Sequence, residues 1–361
     1  MKGNKGEWSE LYTFFKLLAE GKMFSADENL ERTEPFVELK SIYRKDAGKN
    51  LNFKIKDDNL INIIDANTNK ILLSFPQSEA KKIAKNIVNG LNGKKISISK
   101  ELINSIQNYY ITQVADKSLG KGDINIQIYD PVHGISSNQE FSIKSFLGSD
   151  PTLFNANKTT NIKYKITDKK NNASITEEHR KEVNSIIKGH KYIQRIAKLT
   201  ELGYNIEFHS YDDSTFKLNL QVIDSDLPEL IAHIVKDKYV SRLTKFSEVI
   251  TKITNDNPMN YDLSQGHKFY EYRLVNFLVE CALGMTSKSV WSGKYDIVGG
   301  IIIVKPDAEI LCYHLIDFNK FKQYLKNSAR LDNPSGGKMK YGDVKFEGDN
   351  SFIKLNFQIK A

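Results

Sequence analysis

Polar and apolar residues alternate with a period of two from Lys121 to Tyr129, which predicts a strand with one buried face. Asp123, Asn125, Gln127 and Tyr129 share the polar side. Residues 130–138 hold Pro131, Gly134 and Asn138 and read as a loop, and a second alternating run starts at Gln139, so the pair predicts a β-hairpin. If the isoleucines and Phe141 face the core, Asp123, Glu140, Ser142 and Lys144 lie together on the opposite face. Cross-strand neighbours on one face stand about 5 Å apart, so a carboxylate and a lysine can meet over one metal-sized space. That layout suits metal-assisted phosphodiester cleavage, although an Asp and a Lys on a hairpin are commonly only a solvated pair.

Elsewhere the pattern is mixed. Trp8, Leu11, Tyr12, Phe15 and Leu18 form a helical stripe that Gly21 closes. Short alternating runs at 36–43, 51–56, 60–64 and 70–75 predict strands, followed by helices at 78–91 and 99–110. A strand at 161–167 leads into the polar run 168–172, a turn or a domain boundary. Ser174 and Glu177 form a capping box for a basic helix that reaches Gly203. Strands are expected at 204–210 and 215–222, helices at 226–236 and 266–283, and a hairpin at 295–315 turning at 306–309. The fold class expected is α/β, a mixed central sheet flanked by helices with added α+β segments. Residues 1–170 are expected to form the core with the hairpin and 171–361 an α+β region for specificity, or the two make one continuous unit.

Of 361 residues 40% are hydrophobic, enough for a sizeable core. The 52 Lys and Arg against 44 Asp and Glu leave +8, which favours an anionic partner such as nucleic acid. The excess is small, and lysine- and asparagine-rich usage can reflect genome composition. Two cysteines, Cys281 and Cys312, argue against a disulfide scaffold or a cysteine zinc site and fit a reducing cytoplasm. Neither a signal peptide nor a membrane span is expected.

Small hydroxyl and amide side chains crowd the stretch after Lys144, and such groups suit phosphate and base-edge contacts. Residues 141–148, 152–156 and Thr160-Asn161 resemble the core motif of type II restriction endonucleases of the HpaII family, as do the opening 3–12 and the ending 354–360. The resemblance implies a restriction-endonuclease-like core, Mg2+ as cofactor, duplex DNA as substrate and CCGG as target. A cognate cytosine methyltransferase is the implied functional partner, and a homodimer is left open. In that superfamily an acid usually stands two residues before the catalytic lysine, where this chain has Ser142. Asp123 is then expected to bind metal, Lys144 to act on the water or the scissile phosphate, and Ser142 to serve as a hydrogen-bonding substitute. Glu140, Glu10 and Glu7 all remain open as the second carboxylate, the last two because a first-helix glutamate often joins the metal site. Ser145, Asn155, Thr160 and Asn161 are expected at the DNA. Arg330 and Lys338, in a polar loop that also resembles these enzymes, can read guanine or hold phosphate, or are plain surface charge.

Other patterns fall away. Asp27 with Glu38-Leu39-Lys40 copies the acid and Glu-x-Lys order, but Asp27 lacks a strand period. Pro306-Asp307 is followed by no suitable lysine. His179-Arg180-Lys181 lacks the Asp of a His-x-Lys nuclease. His233 and His314 sit on apolar runs as structural residues. Outside the metal-dependent nuclease, the alternatives are a DNA-binding protein that has lost catalysis, or a nuclease for RNA or single strands.

Overall fold

The computed structural model describes residues 1–93, 95–116, 122–295 and 297–361. Lys121, at the head of the predicted strand, and Asp296, in the later hairpin, lie outside them. In chain order the first elements are α1 (Lys5–Glu20), β1 (Lys22–Ala26), β2 (Arg32–Asp46), β3 (Lys49–Ile55), β4 (Leu60–Asp65) and β5 (Ile71–Pro76). Then come α2 (Gln77–Leu91), α3 (Lys100–Gln107), β6 (Ile124–Asp130), β7 (Ile135–Ser145), β8 (Thr152–Phe154) and β9 (Ile162–Asp168). The middle holds α4 (Glu177–Asn184), α5 (Lys191–Glu201), β10 (Tyr204–Tyr211), α6 (Ser214–Ile223), α7 (Leu227–Ser241), α8 (Phe246–Asp256) and α9 (Phe269–Ala282). Last are β11 (Gly300–Val304), β12 (Ile310–His314), α10 (Phe318–Ser328), β13 (Arg330–Asp332), α11 (Gly336–Met339), β14 (Val344–Glu347), β15 (Asn350–Leu355) and β16 (Gln358–Lys360). None of the described helices is long and apolar enough to cross a membrane.

The chain divides into two units that interleave in sequence: Met1–Pro151 with Tyr295–Tyr324, and Thr152–Lys294 with Leu325–Ala361. The expected cut near residue 170 is therefore replaced by an earlier one, and the hairpin β11–β12 returns to the first unit because it completes that unit's sheet. This sheet has nine strands in the order β1-β12-β11-β7-β6-β2-β3-β4-β5. β1 also pairs with β2, so β1, β12, β11, β7, β6 and β2 close into a ring from which β3, β4 and β5 extend. The long β2 makes closure feasible: Arg32 to Glu38 pair with β1, Glu38 to Tyr43 with β6, and a register shift between Leu39 and Ser41 bends it. β1–β12 and β11–β7 run parallel and the other pairs antiparallel, so the sheet is mixed. β11 and β12 are buried along their whole length, matching the unbroken apolar run Ile301-Ile302-Ile303-Val304.

α1 forms as its spacing predicts. Asn4 caps it, its side chain accepting from the Glu7 N–H at 3.1 Å while the Glu7 carboxylate accepts from the Asn4 N–H at 2.7 Å. Gly21, with φ 66°, ends it. Trp8, Leu11, Tyr12, Phe15 and Leu18 are buried in one core with residues of α2, α3 and the sheet.

The second unit has a four-stranded sheet, β10-β9-β15-β14, and a three-stranded one, β13-β16-β8. Three expectations change here. Residues 215–222 form a helix, α6, not a strand; Asp213 caps it at the Thr215 N–H, and Phe216, Asn219 and Leu220 are buried at helical spacing. The capping residue of α4 is Thr176, not Ser174, whose hydroxyl donates to the Asp349 carbonyl. The single basic helix is two, α4 and α5, because Arg195 folds back and donates to the carbonyls of Asn184 (2.9 Å) and Ile186 (3.0 Å) where α4 ends. β1, β8, α8, α10, α11 and β13 to β16 had no predicted counterpart.

Candidate active site

β6 and β7 form the expected hairpin, with Ile124 opposite Phe141 and Asn125 opposite Glu140. Continuing that register sets Asp123 against Ser142. The Asp123 N–H donates to the Phe141 carbonyl at 2.8 Å. Its carboxylate Oδ2 accepts from the Ser142 hydroxyl at 3.0 Å and from the Ile143 N–H at 2.6 Å. One oxygen is thus fixed by the neighbouring strand, and both bonds fall on that same oxygen. Lys144 lies two residues beyond Ser142 and is half-buried beside Ile303 of β11.

α1 brings Glu10 to the same cleft as Asp123. Glu10 is half-buried, and burial, followed by the charges of Asp123 and Glu7, pushes its pKa up to about 7; Lys144 and Arg44 pull the other way. Burial lowers the Lys144 ammonium, while Asp123 and Glu10 hold it up. Asp123, Glu10 and Lys144 are therefore one coupled set. Glu7 has a different job, since its carboxylate is engaged in capping α1. The Glu140 carboxylate lies against Gly122, where an added Cβ would come within 2.8 Å of Oε2.

A cleft of about 10 Å³ is lined by Glu10, Phe14, Tyr43, Arg44, Asp116, Asp123 and Ile124, room for about one water or ion. Arg44 was not singled out from sequence. It is buried, donates to the carbonyls of Gln113 (2.7 Å) and Val114 (3.2 Å), and stands 3.6 Å from Asp46. Nothing in a strand's alternation signals a buried arginine, because only packing decides which side of β2 is covered.

The residues expected at DNA separate. Ser145 ends β7 in the first unit, its hydroxyl accepting from the Leu147 N–H at 3.2 Å. Asn155, Thr160, Asn161, Arg330 and Lys338 belong to the second unit. Asn155, Arg330 and Lys338 are exposed. Thr160 and Asn161 are instead buried: the Thr160 hydroxyl donates to Asn157 and Asn356 oxygens, and the Asn161 amide donates to the Met339 carbonyl (3.0 Å) and accepts from Asn356 (2.6 Å). Their polar groups serve the interior rather than a ligand. His314 is structural, accepting from the Ile316 N–H at Nδ1 and bonding Gln139 through Nε2 at 2.7 Å. The Glu38 of the rejected Glu-x-Lys run is paired with Lys40 at 2.6 Å.

Among the described residues no group of three or more His, Cys, Asp or Glu could hold a metal ion. Two carboxylates beside a one-ion cleft still fit Mg2+, which keeps several waters and commonly takes one or two carboxylates plus substrate phosphate. Glu10, raised to about 7 by burial and then by the Asp123 charge, fits too, since a cation between them would favour its ionised form.

A hairpin acid and lysine joined by a helix carboxylate define a candidate metal-dependent nuclease, and the comparisons agree with that class. The family model for the HpaII restriction endonuclease matches residues 4–361. The type II restriction enzyme HpaII of Haemophilus parainfluenzae is 34% identical over 360 residues, covering 99% of this chain and 98% of that protein. The chain belongs to the HpaII restriction endonuclease family. No solved structure matches it.

Proposed function

We propose that this chain is an active type II restriction endonuclease that hydrolyses duplex DNA at CCGG with Mg2+, on a restriction-endonuclease-like core. The observation that carries the reading is that Asp123 and Glu10 line one small cleft while Lys144 stands within electrostatic reach of both. Asp123 and Glu10 would hold the ion. When bound, it supplies Lewis acidity toward the scissile phosphate and its attacking water. Ser142 and the Ile143 N–H keep Asp123 aimed by fixing one of its oxygens. Lys144, its ammonium depressed by burial, is suited to orient or deprotonate water and to offset phosphate charge. The acid absent at Ser142 is thus made good from α1 rather than from the strand. Glu140, against Gly122, is the less favoured second carboxylate.

A cell carrying such an activity needs a cognate cytosine methyltransferase and keeps both in the cytoplasm. The test is digestion of a plasmid with mapped CCGG sites, with magnesium or with EDTA. Magnesium-dependent fragments at those sites support reaction and target together. Discrete fragments elsewhere would retain the nuclease and discard the target; binding without cleavage would favour a protein that has lost catalysis.

A further inference from the structure

The second unit contains a basic surface that is assembled from two distant segments. Tyr192, near the start of α5, stacks on Tyr341 with ring centroids 4.4 Å apart. The chain from Pro334 to Gly342 wraps it. A Cβ on Gly336 would stand 1.5 Å from the Tyr192 hydroxyl oxygen, and one on Gly342 2.2 Å from its ring. Only glycine permits approaches so close. The wrap is fastened elsewhere as well: Tyr341 donates to the Pro334 carbonyl at 3.0 Å, Asn161 donates to the Met339 carbonyl at 3.0 Å, and the Gly342 N–H donates to the Lys354 carbonyl at 2.8 Å. The buried Lys238 grips Asn333 just before it at 2.5 Å.

This fixed frame carries charge outward. Lys338 and Lys340 are exposed, and Lys191 lies over the Tyr192 ring at 5.0 Å from its centroid. Among the described residues none of the three has an acidic partner within ion-pair distance, whereas Lys163, Lys198, Lys252 and Lys354 of the same unit all do. Lys340 also holds a left-handed backbone, φ 54°, where its N–H closes on the Gly336 carbonyl at 2.8 Å. A rigid frame that gathers unpaired ammonium groups suits a regularly spaced polyanion, because the entropy of ordering them is already spent.

We infer that the surface around Tyr192 grips the phosphate backbone of duplex DNA through Lys191, Lys338 and Lys340, with Tyr192 as the positioning residue. This rests on the proposed DNA substrate and adds where, and by which groups, the second unit holds it. Contacts of this kind position a duplex and carry no sequence information.

The test measures binding of the full chain in EDTA to two duplexes, one with CCGG and one without, by fluorescence anisotropy across a salt series. The triple variant K191A/K338A/K340A should bind both duplexes more weakly and lose about one unit of salt slope per lysine. Replacement of the three by arginine should keep the slope. Tyr192→Ala should lose slope with no charge removed, while Tyr192→Phe, which keeps the stack, should retain it. A triple variant with wild-type slope overturns the inference and leaves the enzyme assignment standing. Wild-type protein that binds neither duplex overturns both.

Discussion

Two lysines, one in each unit, show what separates a candidate chemical site from a structural one. Lys144 sits near two carboxylates, and among the described residues its Nζ makes no hydrogen bond; Lys238 is 4% exposed and is bonded to Asn333 at 2.5 Å. Burial lowers both ammonium groups, Lys238 to about 7. A lowered ammonium pKa therefore does not by itself mark a catalytic lysine. What distinguishes Lys144 is that Asp123 and Glu10 act on its charge while, among the described residues, its Nζ has no hydrogen-bond partner, a setting which a substrate phosphate and a cation can complete. Lys238 spends its donor on holding a loop.

The widest separation between the two should come from substitution. Lys144→Ala is expected to slow plasmid cleavage by ~10³-fold or more, since general base and electrostatic contributions are both removed. Its melting temperature in EDTA should hold or rise, because burial opposes the Lys144 ammonium more than Asp123 and Glu10 favour it. Cleavage at the wild-type rate would return Lys144 to the solvated-pair reading. Asp123→Asn should lose cleavage to a similar degree yet keep the acceptor for Ser142 and Ile143.

A pH series of denaturant unfolding, without metal, should then divide the units. Glu10 rises in the fold from 4.5 to about 7, so the folded state binds more protons between those values and stability falls as pH increases through them. Lys238 falls from 10.5 to about 7, so the unfolded state binds more protons above 7 and stability climbs as pH rises toward 10.5. The first limb is worth on the order of 3 kcal/mol and the second on the order of 5 kcal/mol. Glu10→Gln should flatten the first limb alone, and Lys238→Met the second alone. If Glu10→Gln leaves the lower limb intact, Glu10 does not share the site with Asp123. The smallest effect is expected at Glu7→Ala, about 1 kcal/mol from the lost cap, with cleavage kept where Glu10→Gln loses it. Equal loss of cleavage at both would reopen the choice of second carboxylate.

Part of this was legible in the chain because it is local. Period-two spacing placed β6 against β7 and set Asp123, Ser142 and Lys144 on one face, since a strand's side chains alternate whatever surrounds them. The stripe from Trp8 to Leu18 likewise gave α1 with its cap and its glycine stop. Local reading failed where a neighbour outvoted spacing: at α6, where alternation and helical spacing overlap in a short apolar run, and between α4 and α5, where Arg195 ends one helix from the next.

Thr160 and Asn161 show the same limit from the other side. Their residue types suit a DNA contact or an interior hydrogen bond equally, and Asn356, nearly two hundred positions on, settled the matter. By itself the sequence determined the family, the hairpin and its acid and lysine, because motif and period are written in consecutive residues. Only the tertiary structure brought Glu10 to the cleft beside Asp123, and seated a loop from residue 334 onward on Tyr192. Both depend on where a helix packs, which consecutive residues do not encode.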